Sequence, residues 1–181
     1  VRQLYPHFEF VSNPLWKTTG SAYSLLSAIC LSKEYECYAF YSDIVFRKTL
    51  IQQLENAKGD VVVAVDSLWL KRFVGRSDED ITGAEKAICA GDTVTLLGDN
   101  IQLEIANSEF IGAIKFSQKV ALHLSEKCHE LKELFLKGNL SQLIEYLRQL
   151  GTTITAIDVH GDWAELNQPQ DLAHFILGTK A

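Results

Sequence analysis

Asp60-Val61-Val62-Val63-Ala64-Val65-Asp66 is an apolar run with an acidic residue at each end, and four of its five inner residues are Val. A strand with one wet face alternates apolar and polar side chains. This run does not alternate, so it predicts a strand buried on both faces of a parallel or mixed sheet. Burying both faces takes helices above and below. Helices and further strands should therefore flank the run in turn.

They do on both sides. Upstream, residues 8–11 read as a short strand ended by Asn13-Pro14, a turn signal. Leu25, Leu26, Ala28 and Ile29 give helical spacing over 23–31, with Ser21 as the N-cap. Residues 37–41 form a compact apolar strand that runs into Ser42-Asp43, and 49–56 form the next helix. Downstream, 87–97 and 101–105 predict a hairpin around Gly98-Asp99-Asn100. Residues 110–116 read as a core strand, 121–136 and 140–150 as helices, 153–159 as a β-branched strand and 171–177 as a last helix. Asn139 or Ser141 would cap the second long helix, and Gly151 would stop it. The alternation argues for a three-layer α/β/α fold in one domain.

Composition narrows the function classes. The 181 residues carry 17 basic and 23 acidic side chains, for a net charge of −6, with no Lys/Arg run. No basic face for nucleic acid is expected. No apolar stretch approaches the ~20 residues of a membrane span. Cys30, Cys37, Cys89 and Cys128 show no metal-finger spacing and read as free thiols, with Cys30 and Cys89 as small buried hydrophobes. Free thiols suit the cytoplasm. The chain has no Met, which suggests a fragment.

In an α/β sheet, ligands sit where the strands end at their carboxyl side. Asp43 follows the strand at 37–41, where it could hold a hard cation against a phosphate or simply cap a turn. Asp66 has the same choice after Val65. Glu165 and Asn167 are two apart, so in an extended segment they share a face. Together they could complete a Mg²⁺ site with Asp43, or lie on a solvated loop. The five histidines form no metal-ligand spacing, and only His160 lies near these residues. No GxSxG, Walker A or GxGxxG run is present.

Four segments resemble the sugar-nucleotide-type nucleotidyltransferases, in particular the cytidylyltransferase branch acting on phosphocholine and aminoalkylphosphonates. Asn13-Pro14-Leu15-Trp16-Lys17-Thr18-Thr19-Gly20-Ser21-Ala22-Tyr23-Ser24-Leu25 resembles the stretch bordering that family's nucleotide pocket. Tyr41-Ser42-Asp43-Ile44-Val45-Phe46 resembles its segment with a Mg²⁺-binding Asp. Glu109-Phe110-Ile111-Gly112 resembles a strand beside the substrate. Trp163-Ala164-Glu165-Leu166-Asn167-Gln168-Pro169-Gln170-Asp171-Leu172 resembles the ending that supplies further metal ligands. The four occur in the family's order over nearly the whole chain.

The resemblance implies a mixed, mostly parallel sheet and transfer of NMP, from CTP, to a small phosphate or phosphonate acceptor with release of pyrophosphate. It implies Mg²⁺ on Asp43, Glu165 and Asn167, where Asn replaces the branch's Asp and removes one negative charge. Nucleotide contacts would come from Asn13, Thr18, Thr19 and Ser21. Substrate contacts would come from Asp66, Trp69, Phe110, Gly112 and Trp163, the aromatic and acidic ones facing an amine on the acceptor. The family's Gly-rich loop and phosphate-steadying Lys have no match. The expectation is therefore a domain lacking its first strands, inactive by itself, with a further domain possible after it. Two alternatives are a non-catalytic ligand-binding or scaffolding module of the same fold and an unrelated α/β domain.

Overall fold

β3 (Val61–Asp66) is buried at every residue, and its side chains divide between two cores. Val61, Val63 and Val65 pack with Leu26, Leu124, Leu143 and Ile144 on one side. Val62 and Ala64 pack with Leu50, Leu54, Ile111 and Trp163 on the other. Period-two alternation thus puts apolar groups on both faces of one strand. The protein is seen in a computed structural model that describes residues 2–31, 35–73, 78–167 and 169–177.

The first core lies under α1 (Ser21–Ile29), α4 (Gln118–Glu126), α5 (Cys128–Leu134) and α6 (Leu140–Gln149). The second lies under α2 (Lys48–Asn56) and a two-stranded ribbon of β2 (Ile44–Phe46) and β8 (Trp163–Glu165). This is the expected three-layer α/β arrangement. α6 starts at a capping box: the Asn139 side chain accepts from Gln142 N–H while the Gln142 side chain accepts from Asn139 N–H. That satisfies two of the N–H groups the helix start exposes.

The main sheet has six strands in the order β1-β6-β3-β7-β5-β4. The remaining strands are β1 (Cys37–Phe40), β4 (Lys86–Ala90), β5 (Thr93–Gly98), β6 (Ser108–Phe116) and β7 (Ile154–Asp158). The sheet is mixed, as expected, but only β3 and β7 are parallel neighbours. β1, β3, β4 and β7 point the same way, while β6 and β5 run against them. The sequence could not show this. β6 is buried throughout, and a doubly buried strand reads the same in either direction.

Four further expectations are corrected. The hairpin turns at Gly91-Asp92, between β4 and β5. Gly91, with φ +63°, takes the left-handed conformation that such a turn needs, and residues 101–105 form no strand. Residues 8–11 also form no strand, and Phe8 is 65% exposed. The helix expected over 121–136 is broken at Lys127 into α4 and α5. Gly20, not Ser21, is the N-cap of α1, and its close approach to the Gly138 backbone leaves no room for a Cβ at that position.

Cys30 and Cys128 are not free thiols. A disulfide joins them across 98 positions, from the end of α1 to the start of α5. Cys37 and Cys89 lie outside this disulfide and are half-buried. Among the described residues no helix is long and apolar enough to cross a membrane.

Candidate functional site

A cavity of about 300 Å³ opens at the edge of the sheet where β1 and β3 end and β6 begins. Its polar lining comes from Tyr41, Arg72, Glu85, Glu109, Glu165 and Asn167. Carboxyl ends of strands are where an α/β sheet gathers a ligand, and here the antiparallel β6 brings Glu109 to the same edge.

Asp66 positions one wall. It is 2% exposed, and its carboxylate accepts from Leu68 N–H at 2.8 Å, Gly161 N–H at 3.0 Å and Trp163 Nε1 at 2.8 Å. Both oxygens are thereby taken up in fixing the turn before β8 and the Trp163 ring. Asp66, expected to contact the substrate, supports the cavity wall and is not among its lining residues.

Arg72 is central. It stands on a 3-10 turn, Trp69–Phe73, whose Trp69 and Phe73 pack with Ala84 in a small core of their own. Trp69 is 1% exposed and does not line the cavity. It anchors the turn that carries Arg72. The Arg72 guanidinium pairs with Glu109 at 2.5 Å and Glu165 at 3.2 Å. It also lies 4.6 Å from the ring centres of both Phe73 and Trp163, a geometry in which the ring faces attract the cation.

Burial works against the Arg72 charge, but the two carboxylates outweigh it and its pKa is raised. Burial pushes the Glu109 carboxyl up to about 7, against the pull of Arg72. One guanidinium shared by two acids does not fully offset the desolvation of the more deeply buried one. Among the described residues, Arg72 Nε and Glu109 Oε2 have no hydrogen-bond partner.

The opposite wall is a second buried network. Tyr41 OH donates to Glu85 at 2.6 Å, and Glu85 also accepts from Ser141 N–H at the start of α6. Burial raises the pKa of both Tyr41 and Glu85. Tyr41 reaches this place because Gly112 interrupts β6 with φ +77°, at the register shift against β3. A Cβ on Gly112 would fall inside the Tyr41 ring. Gly112 is thus a packing contact and is not in the cavity wall, while its neighbour Phe110 is.

Of the expected metal ligands, Glu165 and Asn167 line the cavity together and Asp43 does not. Asp43 is exposed one residue before β2, and its backbone carbonyl accepts from Leu166 N–H at 2.7 Å. The ribbon register pairs Ile44 with Glu165, so Asp43 is out of phase with the face those two share. With Asp43 elsewhere and Glu165 engaged by Arg72, the three residues do not fit a divalent ion as they stand. Among the described residues no group of three His, Cys, Asp or Glu side chains is placed to hold one.

Of the expected nucleotide residues, Asn13, Thr18 and Thr19 lie in the turn before α1 and Ser21 opens the helix. Asn13 Nδ2 donates to Thr19 Oγ1 and Ser24 Oγ, and Thr18 Oγ1 donates to the Leu15 carbonyl. Ser21 Oγ accepts from Leu140 N–H. None of the four lines the cavity.

Comparison with solved structures gives the architecture its relatives. The structure of the inositol-1-phosphate CTP transferase from T. maritima superposes with a TM-score of 0.69 at 20% identity, over 94% of this chain and 65% of that one. A putative glucose-1-phosphate thymidylyltransferase from Bacillus anthracis, in complex with a sucrose, gives 0.65 at 14% identity, over 91% and 63%. The chain shares its fold with these two structures. A curated relative, the CTP:phosphoglutamine cytidylyltransferase of Campylobacter jejuni, is 24% identical over 152 residues, 79% of this chain and 60% of that protein. The resemblance to the cytidylyltransferases within this nucleotidyltransferase fold is therefore carried by sequence as well. No family model matches the chain. The chain spans under two thirds of the length of each of these relatives.

The sequence reading missed Arg72, Glu85 and Tyr41 and passed over Glu109. Glu109 had a usable signal, since a charge at the head of the apolar run 110–116 is buried only with a partner. Nothing local separates Arg72 from its exposed neighbour Lys71.

Proposed function

We propose that residues 1–181 are one domain, part of a nucleotidyltransferase that moves NMP from CTP to a small phosphate or phosphonate acceptor. The observation that carries this reading is the cavity at the strand ends, where a shared guanidinium and a buried carboxylate await a polar ligand. It occurs on a fold whose relatives bear cytidylyltransferase names.

In the proposed reaction an anionic acceptor oxygen forms a bond to the α-phosphorus of the nucleotide. The bond from that phosphorus to the bridging oxygen breaks, and the electron pair leaves with pyrophosphate. The acceptor needs no side-chain base, so the protein's contribution is position and field. Arg72 supplies fixed positive charge, the ring faces of Trp163 and Phe73 hold its guanidinium in the wall, and Asp66 holds the Trp163 ring. Mg²⁺ belongs to the proposal as the counter-ion that a triphosphate brings with it. A cytoplasmic location belongs to it on the supply of nucleoside triphosphates alone, since the Cys30–Cys128 bond removes the argument from free thiols.

The test is pyrophosphate release by the full-length protein, given each nucleoside triphosphate with Mg²⁺ and a panel of phosphate and phosphonate monoesters. Release that needs both CTP and one acceptor is expected. Acceptor binding by calorimetry with no release from any nucleotide would instead favour the ligand-binding module. The occupied Glu165 is the observation that keeps that second reading in play.

A further inference from the structure

Arg72 stands where a cationic ligand would stand. Ring faces around a positive charge are the way proteins bind a free ammonium group, and carboxylates at its edge strengthen the hold. Here the rings of Trp163 and Phe73 each lie 4.6 Å from the guanidinium, and Glu109 and Glu165 take one terminal nitrogen each. These groups come from β6, β8 and the 3-10 turn, so distant parts of the chain converge on one side chain. All five residues line the cavity. The Arg72 side chain is 14% exposed, which makes it part of the wall.

We propose that Arg72 fills the cation subsite of this cavity from within, so that the acceptor admitted there ends in an uncharged hydroxyl or amide and not in an amine. An ammonium group beside Arg72 meets like charge, and both acids that could attract it are already paired with the guanidinium. The ring faces over which Arg72 lies are taken as well. An anionic end meets Glu109 and Glu165, two acid charges that one guanidinium does not offset in full. A hydroxyl or an amide brings no charge to be repelled, and it can bond to Tyr41 and Asn167 in the same lining. Arg72 is then a specificity-determining residue, and it selects against the amine-bearing acceptors that the sequence resemblance implies.

This inference rests on the proposed nucleotidyl transfer, and its test keeps the two apart. Three phosphate monoesters of similar size are compared, hydroxyethyl, aminoethyl and carboxymethyl phosphate, each with CTP, Mg²⁺ and the full-length protein. Wild type should use the hydroxyethyl ester with kcat/KM at least about tenfold above either charged ester, through repulsion at close range. R72A empties the cage and frees both acids, so the aminoethyl to hydroxyethyl ratio should rise at least about tenfold. The ratio is the readout because a general loss of activity in R72A does not move it. R72K keeps the charge and should keep the wild-type order of preference. A wild type that uses the aminoethyl ester as well as the hydroxyethyl one overturns the proposal, and so does an unchanged ratio in R72A. If R72A does not fold, the wild-type ratio decides. If no ester is turned over, nucleotidyl transfer fails, and calorimetric binding of the same three esters decides this inference separately. Preference for the hydroxyethyl ester then upholds it, and equal binding or none overturns it.

Discussion

Asp66 ends β3 with three donors on its two oxygens, in a place water does not reach. Asp66→Ala would leave two backbone N–H groups and an indole N–H buried without acceptors. The expected loss is on the order of 3 kcal/mol of unfolding free energy, measured by urea denaturation. A loss under about 0.5 kcal/mol would mean that the turn before β8 holds itself. Glu109 makes a prediction of opposite sign for a carboxylate. Its folded pKa is raised to about 7 from an ordinary 4.5, so the neutral form is the one folding favours. The groups acting on it are Arg72 on the 3-10 turn, Glu165 on β8 and Asp66 on β3. Its stabilising contribution is fully present below pH 4.5 and is lost as pH rises through about 7. The urea midpoint of wild type should therefore fall more between pH 5 and pH 8 than that of Glu109→Gln. Equal falls would show that Arg72 keeps the carboxylate ionised throughout.

Elements were legible in proportion to how local their signals are. The helix 140–150 carries its own start in Asn139 and Gln142, and α6 forms there. Asn139→Ala should cost about 1 kcal/mol, read from the denaturant midpoint, because it removes one half of the capping box. β3 and β7 announced themselves by unbroken or β-branched runs. The direction of β6 did not, because the information lies in its partners rather than in its own residues. The hairpin was misplaced because Gly98-Asp99-Asn100 and Gly91-Asp92 both read as turns, and only pairing chooses between them. The site was legible in half. Glu165, Asn167, Phe110 and Trp163, expected at the site, line the cavity. Asp43 is one residue out of phase, a displacement that motif spacing cannot show. Gly112 was marked for a substrate and turns out to serve Tyr41, which gives a direct test. Gly112→Ala forces a Cβ into that ring at a positive φ. It should destabilise by on the order of 3 kcal/mol, and urea denaturation that moves by less than about 1 kcal/mol would show that the Tyr41 ring has room to shift.

At the scale of the molecule, the link between Cys30 and Cys128 joins two helices that face the same core from distant parts of the chain. No spacing rule could pair them, since α1 and α5 are distant in the chain and meet only through the fold. A cross-link over 98 positions restricts the unfolded chain far more than the folded one. Loop closure on that scale is worth on the order of 4 kcal/mol. Two measurements check this on the protein as purified. Thiol titration in denaturant should find two reactive groups, Cys37 and Cys89, and four after reduction. Unfolding in urea should then shift to lower concentration on reduction, with the folded far-ultraviolet spectrum unchanged, because the apolar contacts of α1 and α5 remain when the bond is cut. Four thiols before reduction would mean that the two helices are held by packing alone, and the stability of this half of the molecule would then rest on Leu26, Ile29, Leu124 and Leu131.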